Sequence, residues 1–508
     1  MQDWTAGYVS EIAYTYGYYP ELNPQRARLA LLSAGLLPPE FRQACELGFG
    51  QGVSVNIHAA AAGTTWHGTD FNPTQTAFAR DMARASGAAA QLRDQAFAEF
   101  CADPSLPEFD FIGLHGVWSW VSDANREVLV DFLRRKLAVG GVLCISYNTM
   151  PGWASFAPMR HLMAQHMGVL GSDGQGITAR IDGALDFVGK LFATQPLFAR
   201  ANPLVAERVE AMKGYNRHYL AHEFFNRDWH PMHVATVADW LAPAKLSYAC
   251  SANLTEHVPA LGLTPEQRNL LAEIPDRMFR ETVRDFMLNT QFRRDYWVKG
   301  RREASPLQLV ERLREERVVL AVPRNEASFT LPGPLGEVTL NPAVYGPVLD
   351  ALADHTPRAI GELPLPAQGG FGQLLEAVLL LCGSGQVAPA QDEAAIQAAR
   401  PVVARLNAHL CAAARGSGDV TWLASPVTGG GVPVDRVAQM FLGARAAGIA
   451  RPAAWAEAAC ATLASQGQGL LREGKPLASE EENLAEMTRL AEGFAAHRLP
   501  LLQALGVA

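Results

Sequence analysis

Short apolar runs alternate with longer stretches of helical periodicity over the first 150 residues. The short runs have the length of buried strands, whereas the longer stretches repeat apolar residues with the spacing of one helix face. Such alternation predicts a Rossmann-like α/β fold, a parallel sheet with helices on both faces. Strands are expected at 44–47, 64–69, 90–93, 109–114 and 142–146, and helices at 53–62, 74–86 and 125–137.

A glycine-rich turn joins the first predicted strand to the first helix. Gly48, Gly50 and Gly52 stand at alternate positions, so the backbone can turn sharply and a ligand can approach it closely. Asp70 ends the next strand, where a carboxylate accepts hydrogen bonds from a ribose diol, and Phe71 follows it. The pattern predicts a site for a nucleoside-containing ligand.

Two details separate this turn from a nicotinamide dinucleotide site. The dinucleotide fingerprint needs its third glycine where this chain has Val53. Glu46 stands at the mouth of the turn, where the phosphate of a dinucleotide would meet it. Two like charges about 4 Å apart at an effective dielectric near 20 repel by roughly 4 kcal/mol, so a phosphate is disfavoured there. A carboxylate suits an ammonium or sulfonium group. S-adenosylmethionine (SAM) carries both and is the predicted cofactor.

Other polar segments follow the predicted strands and should meet at the same edge of the sheet. Ligands of parallel sheets bind at the carboxyl ends of the strands. Asp94 is expected to reach the adenine amino group. The predicted cofactor-binding residues are Glu46, Gly48, Gly50, Gly52, Asp70, Phe71, Asp94, Gln95, His115 and Gly116.

The segments 46–52, 68–71 and 109–112 resemble class I SAM-dependent methyltransferases. More specifically, 115–121 and 146–153 resemble bacterial protein lysine methyltransferases that carry a methyltransferase regulatory domain. The resemblance continues through 218–223 and 291–295, although Phe49 stands where many methyltransferases have Cys or Ala.

That family modifies outer-membrane proteins in rickettsia-like bacteria. The resemblance therefore implies methyl transfer from SAM to a lysine side chain of a protein, such as an outer-membrane or surface protein before export. A SAM-dependent methyltransferase acting on a small metabolite, by O- or N-methylation, and a non-catalytic scaffold with the same fold are the alternatives.

Four aromatic residues and a histidine form the predicted acceptor site. A lysine amine has a reference pKa of about 10.4, so it must lose water or a proton on entering the site. Aromatic rings shelter a neutral amine and attract its methylated, cationic forms. Core packing is the alternative for each ring. The predicted catalytic residues are His115, Trp118, Trp120, Tyr147 and Trp153.

The composition changes after residue 300. Residues 1–300 are the predicted methyltransferase domain, with a helical insertion at about 152–230 and a regulatory-domain-like segment at about 214–300. Residues 301–395 have the order of elements of a winged helix, and 396–508 are mostly helical. Because neither 371–382 nor 394–413 carries a basic stripe, we expect no nucleic-acid partner.

Charge, cysteine content and hydropathy limit the partners and the compartment that we expect for this protein. The net charge is −8, which gives no general attraction to nucleic acid or anionic lipid. The seven cysteines include no Cys-x-x-Cys pair, so we expect reduced thiols in a cytoplasmic protein. Residues 1–4 do not resemble a signal peptide, and no apolar run approaches the roughly 20 residues of a membrane span.

Two further groups of residues allow alternative interpretations. His218 and His222 have a spacing that places two imidazoles on one helix face, but methyl transfer needs no metal, and we expect a structural cluster. Five tyrosines precede Pro20 and form either a surface-packed arm or a cover on the active site. They are Tyr8, Tyr14, Tyr16, Tyr18 and Tyr19.

Overall fold

The computed structural model describes residues 5, 7–12, 14–172, 174–472 and 474–508. Residues 1–4, on which the prediction about a signal peptide is based, lie outside the described residues. A sheet of seven strands forms the centre, in the order β3-β2-β1-β4-β5-β7-β6, with β7 antiparallel to its neighbours. The strands are β1 (Gln43–Leu47), β2 (Thr65–Asp70), β3 (Ala90–Asp94), β4 (Phe109–Leu114), β5 (Leu137–Asn148), β6 (Leu246–Ser251) and β7 (Phe292–Lys299).

Helices cover both faces of this sheet, as the alternating pattern predicts. Successive residues of a strand point to opposite faces. Phe111 packs into the core on one face, while its neighbour Ile112 packs into the core on the other. The helices of this part are α1 (Pro24–Ser33), α2 (Val53–Ala61), α3 (Pro73–Ser86), α4 (Phe97–Ala102), α5 (Asp123–Lys136) and α6 (Met150–Trp153).

The predicted Rossmann-like class is confirmed, and one strand is longer than expected. β5 begins at Leu137 rather than at residue 142, because the chain turns through Gly140 with a φ of +87° and continues to pair. At its other end β5 extends to Asn148, so that its carboxyl end reaches past the edge of β4. This extension carries Ser146 towards the predicted site, where its hydroxyl accepts a hydrogen bond from the N–H of Gly116 at 2.8 Å.

The predicted helical insertion has an apolar core of its own. Trp153, Phe156 and Met163 pack there with residues of the helices that follow. Residues of the N-terminal segment, among them Ile12, pack against the same core. The helices between β5 and β7 are α7 (Ala157–Val169), α8 (Ile177–Ala193), α9 (Leu197–Ala201), α10 (Pro203–Met212), α11 (Arg217–Phe224), α12 (Val234–Leu241), α13 (Pro265–Ala272) and α14 (Arg277–Leu288).

Residues 301–395 contain helices around a small sheet of the order β11-β8-β12, together with a hairpin, β9–β10. Asn341 caps the helix that begins at Pro342, and this helix tolerates Pro347 in its interior. The elements are α15 (Pro306–Glu315), β8 (Arg317–Leu320), β9 (Thr330–Gly333), β10 (Gly336–Thr339), α16 (Pro342–Ala351), β11 (Arg358–Ala359), α17 (Gly370–Gly383) and β12 (Val387–Ala390).

The C-terminal residues are mostly helical. They contact the N-terminal segment at the β13–β14 hairpin, where a Cβ on Gly431 would lie 3.0 Å from the ring of Tyr18. The elements are α18 (Glu393–Ala413), β13 (Trp422–Ser425), β14 (Gly430–Pro433), α19 (Arg436–Ala446), α20 (Pro452–Ala464), β15 (Leu471–Arg472), β16 (Lys475–Pro476), α21 (Glu480–Gly493) and α22 (Leu499–Ala504).

The apolar cores run across the predicted domain boundaries. Trp66 and Tyr296 of the large sheet share one core with Val378 of α17, and Ile57 of α2 shares another with Leu406 of α18. The boundaries near 300 and 395 stay predictions, but the packing units do not coincide with them. Among the described residues, no helix has the length and apolar character required to cross a membrane.

We expect Leu406→Ala to destabilise the whole chain. Leu406 is fully buried between α18 and α2, so removing its side chain leaves a cavity and should lower the free energy of unfolding by about 2–5 kcal/mol. Urea unfolding followed by tryptophan fluorescence measures the loss. Leu204→Ala removes a side chain that is 72% exposed and should change stability by less than about 0.5 kcal/mol. Equal effects of the two substitutions would contradict the shared core.

Candidate active site

A cavity lies at the carboxyl ends of β1, β2 and β4, where the sequence predicts the site. The glycine turn, the residues after β2 and the loop after β4 form its walls, and the N-terminal segment closes it. The lining residues that matter here are Tyr8, Tyr14, Tyr19, Gly48, Gly50, Asp70, Phe71, Gln95, His115, Gly116 and Trp120.

All three glycines of the turn have positive φ, at +75°, +57° and +71° for Gly48, Gly50 and Gly52. The backbone N–H of Gly50 donates a hydrogen bond to Asp70 Oδ2 at 2.9 Å, which joins the turn to the end of β2. Gly52 serves packing, because a Cβ there would lie 2.4 Å from the Cβ of Ala79 on α3. The turn therefore holds Asp70 in the cavity wall.

Two buried carboxyl groups, Glu46 and Asp70, lie at this turn. Burial, and then the charge of Asp70, raises the pKa of Glu46 to about 8, and one oxygen of Glu46 has no hydrogen-bond partner in the described structure. Burial also raises the pKa of Asp70 to about 7, although backbone N–H groups of Asn72 and Gly50 act in the opposite direction. A cationic ligand beside them would favour their charged forms.

His115 is held by a charged network that extends across the sheet edge. Its Nδ1 lies 3.1 Å from Glu21 Oε1, and Arg294 Nε lies 2.8 Å from the same oxygen. Burial alone would raise the pKa of Glu21, but His115 and Arg294 outweigh it and lower that pKa to about 2. Glu21 is therefore ionised at neutral pH and orients the imidazole.

Three tyrosines of the N-terminal segment cover the cavity. The ring of Tyr19 stacks on His115 at a centroid distance of 3.7 Å, and Tyr14 packs edge-on against His222 at 5.0 Å. Tyr8 contacts Phe71 edge-on at 5.8 Å. Of the two alternatives for these residues, the structure therefore favours a cover on the site. Tyr16 and Tyr18 turn away and contact Phe78 and Trp422 instead.

The structure separates the predicted aromatic residues. Trp120 lines the cavity, as does His115. Trp118 lies two residues before Trp120 in the same 3-10 turn. Its side chain is fully buried in the core beneath Arg126. The two rings diverge because residues two apart in so tight a turn point in different directions. The expected place of Trp118 in the acceptor wall is therefore corrected.

Tyr147 and Trp153 are also placed away from the cavity lining. Tyr147 is fully buried, and its hydroxyl donates to Asp295 Oδ2 at 2.7 Å. Trp153 belongs to the core of the insertion, where its Nε1 donates to the carbonyl of Gln291 at 2.8 Å and Arg208 lies over its ring. For both residues the alternative of core packing describes the structure.

The predicted cofactor residues divide in the same way. Glu46 is buried below the lining, and Gly52 packs against α3. Asp94, the last residue of β3, is exposed and does not line the cavity. The next residue, Gln95, does line it. Those that line the cavity are Gly48, Gly50, Asp70, Phe71, Gln95, His115 and Gly116.

Sequence analysis does not identify Glu21 or its partner Arg294. The two residues are far apart in the chain, and Glu21 occupies a 3-10 turn that no periodicity marks. A carboxylate directly after a tyrosine-rich arm and a proline is the one local signal. Within the described residues there is no group of three or more metal-ligating side chains, and His222 instead bonds the carbonyl of Ile12 at 3.1 Å.

Comparison with known structures defines the class of fold. The chain is similar to PKMT2 from Rickettsia typhi, solved in complex with AdoHcy, with a TM-score of 0.67 and 16% identity. The alignment covers 97% of this chain and 100% of that one, and PKMT2 without the ligand gives a TM-score of 0.66. The whole chain, including its C-terminal modules, therefore has the fold of PKMT2.

Sequence comparison defines the family. The chain is 36% identical to the uncharacterized protein sll1526 of Synechocystis over 99% of both chains, and it belongs to the same family. Residues 216–299 match the family model described as a predicted methyltransferase regulatory domain, close to the expected limits of 214–300. A segment of 135 residues is 33% identical to the uncharacterized protein RP028 of Rickettsia prowazekii, covering 26% of this chain and 54% of that protein. The predicted resemblance is confirmed.

We expect Glu46→Gln to make folding less sensitive to pH. The folded pKa of Glu46, about 8, lies above its ordinary value of 4.5, so the folded protein keeps a proton that the unfolded chain loses. Stability conferred by this proton is present below pH 4.5 and is lost as the pH rises towards 8. Between pH 4.5 and 8, the free energy of unfolding of the variant should therefore rise relative to that of the wild type by up to about 1.4 kcal/mol per pH unit.

Urea unfolding at pH 5, 6.5 and 8 measures this difference. Glu207→Gln, which neutralises an exposed glutamate on α10, is the matched control and should show no such trend. A stability difference between Glu46→Gln and the wild type that is independent of pH would contradict the protonated, buried carboxyl group.

Proposed function

We propose that the protein transfers a methyl group from SAM to a lysine side chain of a protein substrate. The observation that carries this proposal is the cavity at the strand ends, which Asp70 and the glycine turn line together with His115 and a set of aromatic rings. The relationship to PKMT2, which was solved with AdoHcy, the product that SAM leaves, supports it.

The residues of the turn fit the methyl donor. Each carboxylate oxygen of Asp70 accepts one backbone N–H, from Gly50 or Asn72, and retains a lone pair for a ribose hydroxyl. The unpartnered oxygen of Glu46 and the proximity of two carboxyl groups favour a ligand that carries positive charge. When bound, SAM supplies an electrophilic methyl group on a sulfonium.

The acceptor side needs a neutral amine in line with that methyl group. Because ionised Glu21 lies against Nδ1 of His115, it favours the tautomer with the proton on Nδ1. Nε2 is then free of a proton and accepts one from the entering amine. His115 acts as the base in this proposal, and Glu21 positions it.

Aromatic residues surround the place where the amine enters. Tyr8, Tyr14, Tyr19 and Trp120 line the cavity with His115. Their rings exclude water from a neutral amine and attract a methylated ammonium by cation–π contact. This set replaces Trp118, Tyr147 and Trp153 in the predicted acceptor site, and it explains why an amine is favoured over a carboxylate acceptor.

The family resemblance extends the proposal to substrate and location. We propose an outer-membrane or surface protein, methylated in the cytoplasm before export, as the substrate. The seven cysteines, none of which forms a disulfide in the structure, are consistent with a reducing compartment.

We expect Asp70→Ala to weaken SAM binding and Asp94→Ala to leave it nearly unchanged. Asp70 lines the cavity, so replacing it by alanine removes the proposed hydrogen bonds to the ribose. Asp94 is exposed and lies outside the cavity lining. Calorimetry should show an affinity for SAM at least about tenfold lower for the first variant. The assignment of the ribose site is wrong if a folded Asp70→Ala protein binds SAM as tightly as the wild type.

Labelled SAM added to a bacterial lysate tests the substrate class. After incubation with the protein, the lysate is separated into proteins and small molecules, and labelled proteins are digested to find the methylated residue. We expect the label on lysines. Label in small molecules alone would indicate the metabolite alternative, label on carboxylates would refute the amine acceptor, and SAM binding without any transfer would indicate a scaffold.

We expect Glu21→Gln to lower transfer while leaving SAM affinity unchanged. The amide keeps the shape of the side chain but no longer fixes the proton on His115 Nδ1, so transfer should fall by roughly 10- to 100-fold. Glu11→Gln, at a glutamate of the same segment that pairs with Arg180 at the surface, is the control. Equal transfer rates for the two variants would exclude the positioning role of Glu21.

A further inference from the structure

A second pocket lies in the segment that matches the regulatory-domain model, away from the cavity described above. It is an open pocket lined by β6, the turns that follow it, α13 and α14. Arginines outnumber carboxylates by two in its lining. The charged residues are Arg268, Arg277, Arg280, Arg284, Glu256 and Glu281.

Both carboxylates of the pocket already have cationic partners. Arg284 Nη1 lies 2.9 Å from Glu256 Oε2, and Arg293 Nη2 lies 2.9 Å from Glu281 Oε2. In the described part of the chain, no carboxylate oxygen lies within 4.0 Å of the charged nitrogens of Arg268, Arg277 or Arg280. The pocket therefore keeps an excess of positive charge.

The backbone fixes two of these guanidinium groups in place. Arg280 donates from Nε and Nη2 to the carbonyl of Ile274, at 3.1 and 2.8 Å. Arg277 donates from Nη2 to the carbonyl of Ala249 and lies 5.3 Å above the ring of Tyr248. Its other terminal nitrogen, Nη1, is buried without a partner among the described residues. An acceptor in the pocket would give this donor a partner.

We propose that this pocket binds a small anion that carries phosphate or carboxylate groups. Guanidinium groups present pairs of donors that match both kinds of anion, and preorganised arginines lose little freedom on binding them. The ligand would bond to Nη1 of Arg277 and to the guanidinium groups of Arg268 and Arg280.

The wall of the pocket is bonded to the strand that leads to the active site. Arg293 of β7 donates to the hydroxyl of Tyr248 at 3.1 Å and also binds Glu281. The next residue, Arg294, holds Glu21. An anion beside Arg277 and Arg280 changes the charge around Arg293, so we infer that it alters the rate of methyl transfer through Arg294, Glu21 and His115. This second part rests on the proposed function.

Calorimetry with inorganic pyrophosphate and, separately, with citrate at constant ionic strength tests the binding site. The double variant Arg268→Gln/Arg280→Gln should bind the preferred anion at least about tenfold more weakly than the wild type. Arg200→Gln/Arg312→Gln removes two exposed arginines outside the pocket and should bind normally. Thermal unfolding checks that both variants fold, and Arg268→Gln alone, at an exposed position, replaces the double variant if it does not.

The calorimetric result decides whether the pocket binds an anion and of which kind. Preference for pyrophosphate assigns a phosphate ligand, and preference for citrate assigns a carboxylate ligand. Failure of both anions to bind the wild type, or an equal loss in the control variant, overturns the site.

Transfer of label from SAM to lysate proteins, measured in the presence and absence of saturating anion, tests the coupling, which should change the transfer rate by about fivefold or more. An unchanged rate refutes the coupling alone, whereas no transfer in either condition refutes the proposed function.

Discussion

The buried carboxylate of Glu21 holds the active-site region together. A charge in the interior is tolerated only with partners, and Glu21 has two, His115 from the loop after β4 and Arg294 from β7. This three-way contact fixes the N-terminal segment across the carboxyl ends of the strands. It also brings Tyr19 onto the imidazole.

The same segment joins the site to the rest of the chain. While Tyr14 and Tyr19 face the cavity, Tyr18 packs on the β13–β14 hairpin, and the side chain of Asn23 donates to the carbonyl of Thr428. The C-terminal modules thus support the cover of the site, and they complete the core on one face of the sheet. The similarity in fold to PKMT2 likewise covers the whole chain rather than the sheet alone.

Local patterns predicted the sheet and the cofactor side of the site because they act over a few residues. The glycine turn and Asp70 are consequences of strand–turn–helix periodicity, so the sequence identifies them directly. The acceptor side depends on which way a short turn directs its rings, and nothing local distinguishes Trp118 from Trp120. The pairing of Glu21 with Arg294 joins distant parts of the chain and emerges only from the folded structure.

In the proposed function, methyl donor and acceptor meet in the cavity beneath the N-terminal segment. A crystal structure of the complex with S-adenosylhomocysteine tests this most directly. We expect the ribose hydroxyls within hydrogen-bond distance of Asp70, and the sulfur on the side of His115 and Trp120, with Glu21 still bonded to His115. A nucleoside bound elsewhere, or a sulfur directed away from His115, would contradict the account.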